Sequence, residues 1–277
     1  MAFQDLRDHW ALVTGASSGL GTDFARELAR LGCHLVLVAR REERLNELAR
    51  EVRDRHGVQV DVVALDLGTR EGPGALHRRV QELGRPVDVL VNNAGFGVYG
   101  THLEADWDRE RGMLDLDIAA LVHLTKLFAG DMVSRGFGRI LQVASIAAYQ
   151  PCPTYAAYGA AKSFVLHFGE AVNFELRGTG VSCTVLSPGV TRTEFFEVAG
   201  QSLTWYQRLA MMQSEEVART GIEAMVRGRS SVVPGLLNKF TTWSVRFLPR
   251  DLATALSWWV LRPDRAGPSG PDRGRAP

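Results

Sequence analysis

The stretch that decides the fold is Trp10-Ala11-Leu12-Val13-Thr14-Gly15-Ala16-Ser17-Ser18-Gly19-Leu20-Gly21, followed by a segment of 3.6-residue apolar period running to Leu31. A short apolar run that passes through a glycine-rich turn into a helical pattern is a βα unit. Such a turn lets backbone approach a pyrophosphate and aims unpaired N–H groups, at the positive end of the helix dipole, toward it. The spacing is Gly-x-x-x-Gly-x-Gly rather than Gly-x-Gly-x-x-Gly, so the general dinucleotide fingerprint fits it only weakly, and an ordinary turn is the alternative.

The same alternation continues outward. Further strands are expected at His34 to Ala39, Val58 to Ala64, Val87 to Asn92, Arg139 to Ala144, Val181 to Leu186 and Ser231 to Pro234. Most are near-continuous apolar runs, as parallel strands covered on both faces require. Helical patterns fill Glu42 to Arg55, Arg70 to Leu83, Trp107 to Arg135, Tyr155 to Arg177 and Ser214 to Arg227, with stops at Gly32, Gly57, Gly84 and Gly136. The expected fold class is α/β, a single doubly wound Rossmann-type parallel sheet with helices on both faces, whose ligands bind beyond the carboxyl ends of the strands. The expected organisation is one such domain over 1–235, a packed helical extension over 236–262 and a disordered tail over 263–277. The extension is expected to form two short amphipathic helices broken at Pro249. Its Trp243, Phe247, Trp258 and Trp259 suit cover for the sheet or a subunit contact, with an interfacial membrane contact less favoured.

Composition narrows the function. The 277 residues carry 32 basic and 31 acidic side chains and are 45% hydrophobic, which argues against a nucleic-acid scaffold and against a mainly disordered chain. Cys33, Cys152 and Cys183 lie far apart, and the seven histidines show no ligand spacing, so neither a disulfide framework nor a metal site is expected. The N-terminal residues do not resemble a signal peptide and no apolar run is long enough to span a bilayer. The expected location is cytoplasmic. Lysine occurs only at Lys126, Lys162 and Lys239, so a lysine inside a motif stands out.

Three further motifs carry chemistry. The second strand ends in Ala39-Arg40-Arg41, where an acid would bond the ribose hydroxyl of NAD and a guanidinium fork suits the 2′-phosphate of NADP. NADP(H) is therefore favoured over NAD(H); the alternative is that both arginines only begin a solvated helix face. Asn92-Asn93-Ala94-Gly95 follows the fourth strand, in either a loop-shaping or a cofactor-contact role. Ser145 closes a strand, and Tyr158 and Lys162 stand at i and i+4 on a helix, on one face. A phenol is a poor acid or base near neutrality unless a cation stabilises its phenolate, which Lys162 can do. Ser145 can position a carbonyl or alcohol for proton exchange with Tyr158 while hydride moves to or from a nicotinamide.

In that order, Thr14 to Gly21, Asn92 to Gly95, Ser145, Tyr158-x-x-x-Lys162 and Pro188-Gly189 resemble the short-chain dehydrogenase/reductase family over roughly Trp10 to Arg227. The resemblance implies NAD(P)(H)-dependent interconversion of ketones and secondary alcohols by a homodimer or homotetramer. It makes Tyr158 the acid/base, Ser145 the residue that orients the substrate, and Lys162 the group that lowers the tyrosine pKa and binds the nicotinamide ribose. It also implies cofactor contacts from Gly15, Ser17, Ser18, Gly19, Leu20 and Gly21, from Arg40, Arg41, Asp66 and Leu67, from Asn92, Ala94 and Gly95, and from Pro188, Gly189, Val190 and Thr193. One position departs from the pattern: Asp117 stands where the family usually has an asparagine that holds a proton-relay water. A carboxylate there could alter the relay, so a slow or inactive nucleotide-binding scaffold is one alternative; a membrane-peripheral lipid or ketoacyl reductase, resting on the Trp243 to Trp259 segment, is another. Phe96, Val98 and Tyr99, the Tyr149 to Pro153 loop, and Phe195, Phe196, Trp205 and Tyr206 either line a pocket for a hydrophobic carbonyl compound or pack a lid onto the sheet.

Overall fold

Aliphatic residues on both sides of each strand demand a layer of helices on each face. The computed structural model, which describes residues 6–201, 204, 207, 208 and 210–262, provides both. Strands β1 (Trp10–Thr14), β2 (His34–Ala39), β3 (Val60–Ala64), β4 (Val87–Asn92), β5 (Gly138–Val143), β6 (Val181–Leu186) and β7 (Ser231–Val232) form one seven-stranded sheet of order β3-β2-β1-β4-β5-β6-β7. Every pairing is parallel. The chain reverses direction across the sheet between β1 and β4, the place where such sheets open a crevice at their carboxyl edge.

Alternation along the strands divides the core. Ala11 and Val13 of β1 and Leu35 and Leu37 of β2 face α1 (Gly19–Arg30), α2 (Glu42–His56) and, further along the sheet, α8 (Ser214–Val226). Leu12, Val36 and Val38 point the other way, into a layer built on α3 (Gly72–Glu82) and α5 (Leu121–Arg135). Phe24 and Phe128 are fully buried, one in each layer, and burial of a side chain of this size contributes about 1.5–3 kcal/mol. Neither face could therefore be left open without losing a large part of a typical net stability.

Boundaries shift where local geometry overrides pattern. β3 begins at Val60 rather than Val58, and β5 runs from Gly138 to Val143, so Ser145 lies just beyond the strand end. The helix expected over Trp107 to Arg135 is three pieces: α4 (Trp107–Leu114), a π-helical turn (Asp115–Ala120) and α5. Asp117, fully buried, sits in the middle of that turn. α6 (Ala156–Glu175) carries Tyr158 and Lys162, and a short α7 (Phe195–Ala199) follows the Pro188 loop. The four glycine stops all have positive φ, with Gly57 and Gly136 as left-handed caps of α2 and α5.

The extension forms α9 (Leu236–Ser244), a 3-10 turn (Val245–Phe247) and α10 (Arg250–Leu261), with Pro249 at the start of α10. Its inner side closes over the carboxyl edge of the sheet. Leu261 packs against the apolar cluster that holds Tyr155 and Tyr158, and its carbonyl accepts a hydrogen bond from Tyr99 at 3.3 Å. No helix among the described residues is long and apolar enough to cross a membrane. Trp205, Tyr206 and the 263–277 tail lie outside the described residues.

Candidate active site

A cavity of about 820 Å³ opens at the carboxyl edge of the sheet, between the glycine turn and the extension. One end is a backbone cradle. Gly15 and Gly19 have φ of 66° and 52°, and a Cβ at Gly21 would lie 2.1 Å from the Gly15 carbonyl oxygen. Ser18 begins α1 without a side-chain cap, and no acid occupies the first turn, so the N–H groups of the helix start are left for an anion. Thr14 fixes the turn to the next strand end: its Oγ1 accepts from the backbone N–H of both Asn93 and Ala94 at 3.0 Å. Asn93 Nδ2 donates to the Thr14 carbonyl at 2.9 Å. These features fit the diphosphate of a nicotinamide dinucleotide.

The expected contacts divide into three groups. Gly15, Ser17, Ser18, Gly19 and Leu20 line the cavity, as do Arg40, Arg41, Asp66, Leu67, Ala94 and Gly95. Ser145, Tyr158, Pro188, Gly189, Val190 and Thr193 line it from the far side, and Thr193 stands across from Gly19. Gly21, Asn92, Asp117 and Lys162 are not in the lining. Asn92 is turned instead into a buried polar cluster, donating to Thr125 Oγ1 and Gln142 Oε1 at 3.1 Å each. The loop-shaping asparagine is its neighbour, Asn93.

Ser145 accepts a hydrogen bond from the Ala147 N–H at 3.1 Å and starts a 3-10 turn, Ile146–Tyr149. The Ile146 N–H donates to the Pro188 carbonyl at 2.9 Å, tying this loop to the next. Behind them Lys162 Nζ lies 2.9 Å from Asp117 Oδ2 and donates to the Val143 carbonyl at 3.2 Å. Asp117 Oδ1 accepts from the Phe96 N–H at 3.1 Å and lies against Gly95, where a Cβ would come within 2.7 Å of it. Burial pushes the Asp117 carboxyl above the usual range, while Lys162 pulls it back. The same carboxylate acts on Tyr158 in the opposite direction to the effect expected from Lys162. Burial first, and the Asp117 charge second, hold the Tyr158 phenol above its ordinary pKa, with a hydrogen bond from Ser145 opposing both.

At the cradle mouth, Arg41 donates to Ser17 Oγ at 3.1 Å and to Glu194 Oε2 at 3.1 Å, while Arg44 donates to Glu194 Oε1 at 2.8 Å. Both arginines, Arg44 foremost, draw the Glu194 carboxyl below its usual range. Arg40 is largely exposed, 3.9 Å from Asp66. Glu194 and Arg44 were not expected from sequence; only the proximity of Glu194 to Thr193 hints at it.

Several of the aromatic residues pack on one another, and some also face the cavity. Tyr99, Tyr155, Tyr158, Phe195 and Phe196 form a chain of ring contacts with centroids 5.3–5.6 Å apart. Phe96, Phe195 and Phe196 also line the cavity, whereas Val98 and Tyr99 do not. From the extension, Asn238, Leu256, Ser257 and Leu261 complete the wall. Asn238 packs on Gly189, where a Cβ would meet it at 2.3 Å. The three cysteines are buried and none is joined to another by a disulfide.

A doubly wound parallel sheet with a glycine cradle at its switch point and a serine and a tyrosine facing the same cavity defines a dinucleotide-binding α/β protein. Residues 9–203 match the short chain dehydrogenase family, and the chain belongs to it. It is 36% identical over 217 residues to sulfoacetaldehyde reductase 2 of Chromohalobacter salexigens, covering 75% of this chain and 84% of that one. A short-chain dehydrogenase from Sphingobium yanoikuyae in complex with NADPH superposes with a TM-score of 0.78 at 29% identity, covering 96% of this chain and 100% of that one. One from Burkholderia phymatum in complex with NAD does so with 0.77 at 25%, covering 87% and 93%. The protein is thus an oxidoreductase acting on CH–OH donors, of a kind whose solved relatives bind nicotinamide cofactors.

Proposed function

We propose that the protein interconverts a hydrophobic ketone and its secondary alcohol with NADP(H), using Tyr158 as acid/base. The observation that carries this reading is that Ser145 and Tyr158 both line the wall of the cavity whose other end is the glycine cradle. The nicotinamide, when bound, supplies or accepts hydride. Ser145 donates a hydrogen bond to the carbonyl oxygen and Tyr158 gives that oxygen its proton, so the carbonyl gains one hydride and one proton to become the alcohol. A phenol held above its ordinary pKa is in the donating form at neutral pH, which suits reduction. Phe96, Phe195, Phe196 and Leu256 offer apolar wall, which favours an apolar substrate. Arg40 and Arg41, with no acid at the end of β2, favour the 2′-phosphate.

The Asp117–Lys162 pair supports a second reading, cofactor binding with little turnover, because it ties a carboxylate to the lysine that stands beside Tyr158. One set of measurements separates the two. Titration with NADPH and NADH by nucleotide fluorescence, followed by a ketone and alcohol panel, should show tighter NADPH binding and carbonyl-dependent oxidation of it. Tyr158→Phe should lose turnover by roughly 10²–10⁴ while keeping cofactor affinity. Unchanged turnover in Tyr158→Phe would sink the mechanism, and binding without turnover in the parent, relieved by Asp117→Asn, would favour the second reading.

A further inference from the structure

Helix α9 has its amphipathicity inverted. Its positions against the protein are polar, Asn238 at 7% and Thr242 at 5% exposure, while Phe240 and Trp243 stand 63% and 56% exposed. Phe247 in the following turn is 70% exposed, and Trp243 links it to Phe240 with ring centroids 4.8 and 6.3 Å away. Helical spacing puts Leu236, Phe240, Trp243 and Phe247 on one side. On α10, Leu252 and Trp259, two turns apart, are likewise exposed on one face, with Leu256 between them reaching the cavity rim. An ordinary surface helix turns its apolar stripe inward, so an aromatic stripe turned outward over two adjacent helices marks a surface made to be covered.

Charge decides what covers it. Over 236–262 the basic residues are Lys239, Arg246, Arg250 and Arg262, all exposed, against the single acid Asp251. In a two-fold contact between copies of this chain the patch would meet itself and set these like charges against one another, which is costly. Anionic headgroups complement them. Arginine and lysine around exposed tryptophan, phenylalanine and leucine on short helices is the composition of segments that lie in the plane of a membrane surface. At 9 and 12 residues, α9 and α10 are too short to cross a bilayer.

We propose that the outer face of α9 and α10, centred on Phe240, Trp243 and Phe247, docks the protein on a bilayer surface containing anionic lipid. The same two helices wall the cavity with their inner side, so docking places the cavity next to the bilayer.

The test is sedimentation of the full chain with vesicles of phosphatidylcholine, with and without phosphatidylglycerol, at low and high salt. The parent should pellet with phosphatidylglycerol vesicles, with a blue shift in tryptophan emission, and less at high salt. A K239E/R246E/R250E variant should bind those vesicles at least about a hundredfold more weakly, each basic residue near an anionic leaflet being worth about fivefold. F240S/W243S/F247S should lose binding to every vesicle while melting like the parent, since these side chains are exposed. A parent that stays in solution with both vesicle types overturns the proposal, as does vesicle binding that neither variant weakens. A dimer in sedimentation velocity that F240S/W243S/F247S converts to monomer also overturns it, by placing a second copy on this face.

Discussion

Asp117 holds Lys162 through a 2.9 Å contact, its carboxylate wholly withdrawn from solvent inside a π-helical turn. Asparagine in its place keeps the acceptor for the Phe96 N–H but removes the negative charge. Tyr158 then loses a group that holds its pKa up, and Lys162 beside it is left without its carboxylate partner. In Asp117→Asn the pH at which alcohol oxidation rises should move down by about 1–3 units, the usual reach of a nearby charge. Reduction at neutral pH should change less, because the phenol is already protonated there. Superimposable pH profiles of kcat/KM for parent and variant would show that the pair does not govern Tyr158. Asp117→Ala, which leaves the ammonium buried alone, should cost about 3–5 kcal/mol of stability in denaturant melts.

Glu194 competes for the arginines that a 2′-phosphate would need. In Glu194→Gln, Arg41 and Arg44 lose their carboxylate partner at the cradle mouth. Exposed pairs of this kind are worth about 0.2–1 kcal/mol, so NADPH affinity should rise no more than about fivefold and NADH affinity should stay level. Isothermal titration with both nucleotides checks this; an equal gain for both would mean the arginines do not discriminate.

Gly21→Ala drives a methyl group into the Gly15 carbonyl, backbone against backbone, with no flexible atom to yield. Loss of NADPH fluorescence enhancement and a lowered melting temperature are expected together. At Gly57, where nothing lies within 4 Å, alanine should cost only the left-handed strain, about 1 kcal/mol. Comparable losses at the two sites would refute the crowding argument.

Alkaline stability follows from the buried phenols. Tyr99, Tyr149, Tyr155 and Tyr158 all have pKa values raised by burial. Each folded-state value lies above the unfolded one, so their contribution is complete below about pH 10 and is lost as pH rises through the folded values. Urea midpoints should fall across this range, and less in Tyr155→Phe, although that variant also gives up the 2.7 Å hydrogen bond to Gln201. A flat midpoint from pH 9 to 11 would contradict the assignment.

The order of βα units was legible because strands buried on both faces are written as uninterrupted apolar runs, and the glycine stops mark where helices must turn back. The π-helical turn was not, since Leu114, Leu121 and Leu124 keep a helical apolar pattern across it while the backbone inserts extra residues. Placement of Asn92 was equally hidden: two adjacent asparagines carry the same chemistry, and only the sheet's third dimension gives one to Gln142 and the other to Thr14. Arg41 and Glu194 are 153 residues apart, and no local pattern links them. The extension's two helices and their break at Pro249 were legible, but Trp243, Phe247 and Trp259 stand exposed rather than covering the sheet, and the helices' position over the cavity was not readable.

That extension also separates two kinds of inheritance. Residues 9–203, matched by the family, hold the cradle, Ser145, Tyr158 and Lys162, whereas Asn238, Leu256, Ser257 and Leu261 reach the cavity from beyond that range. Variation in the last stretch can therefore reshape what the cavity admits without altering the residues of the cradle.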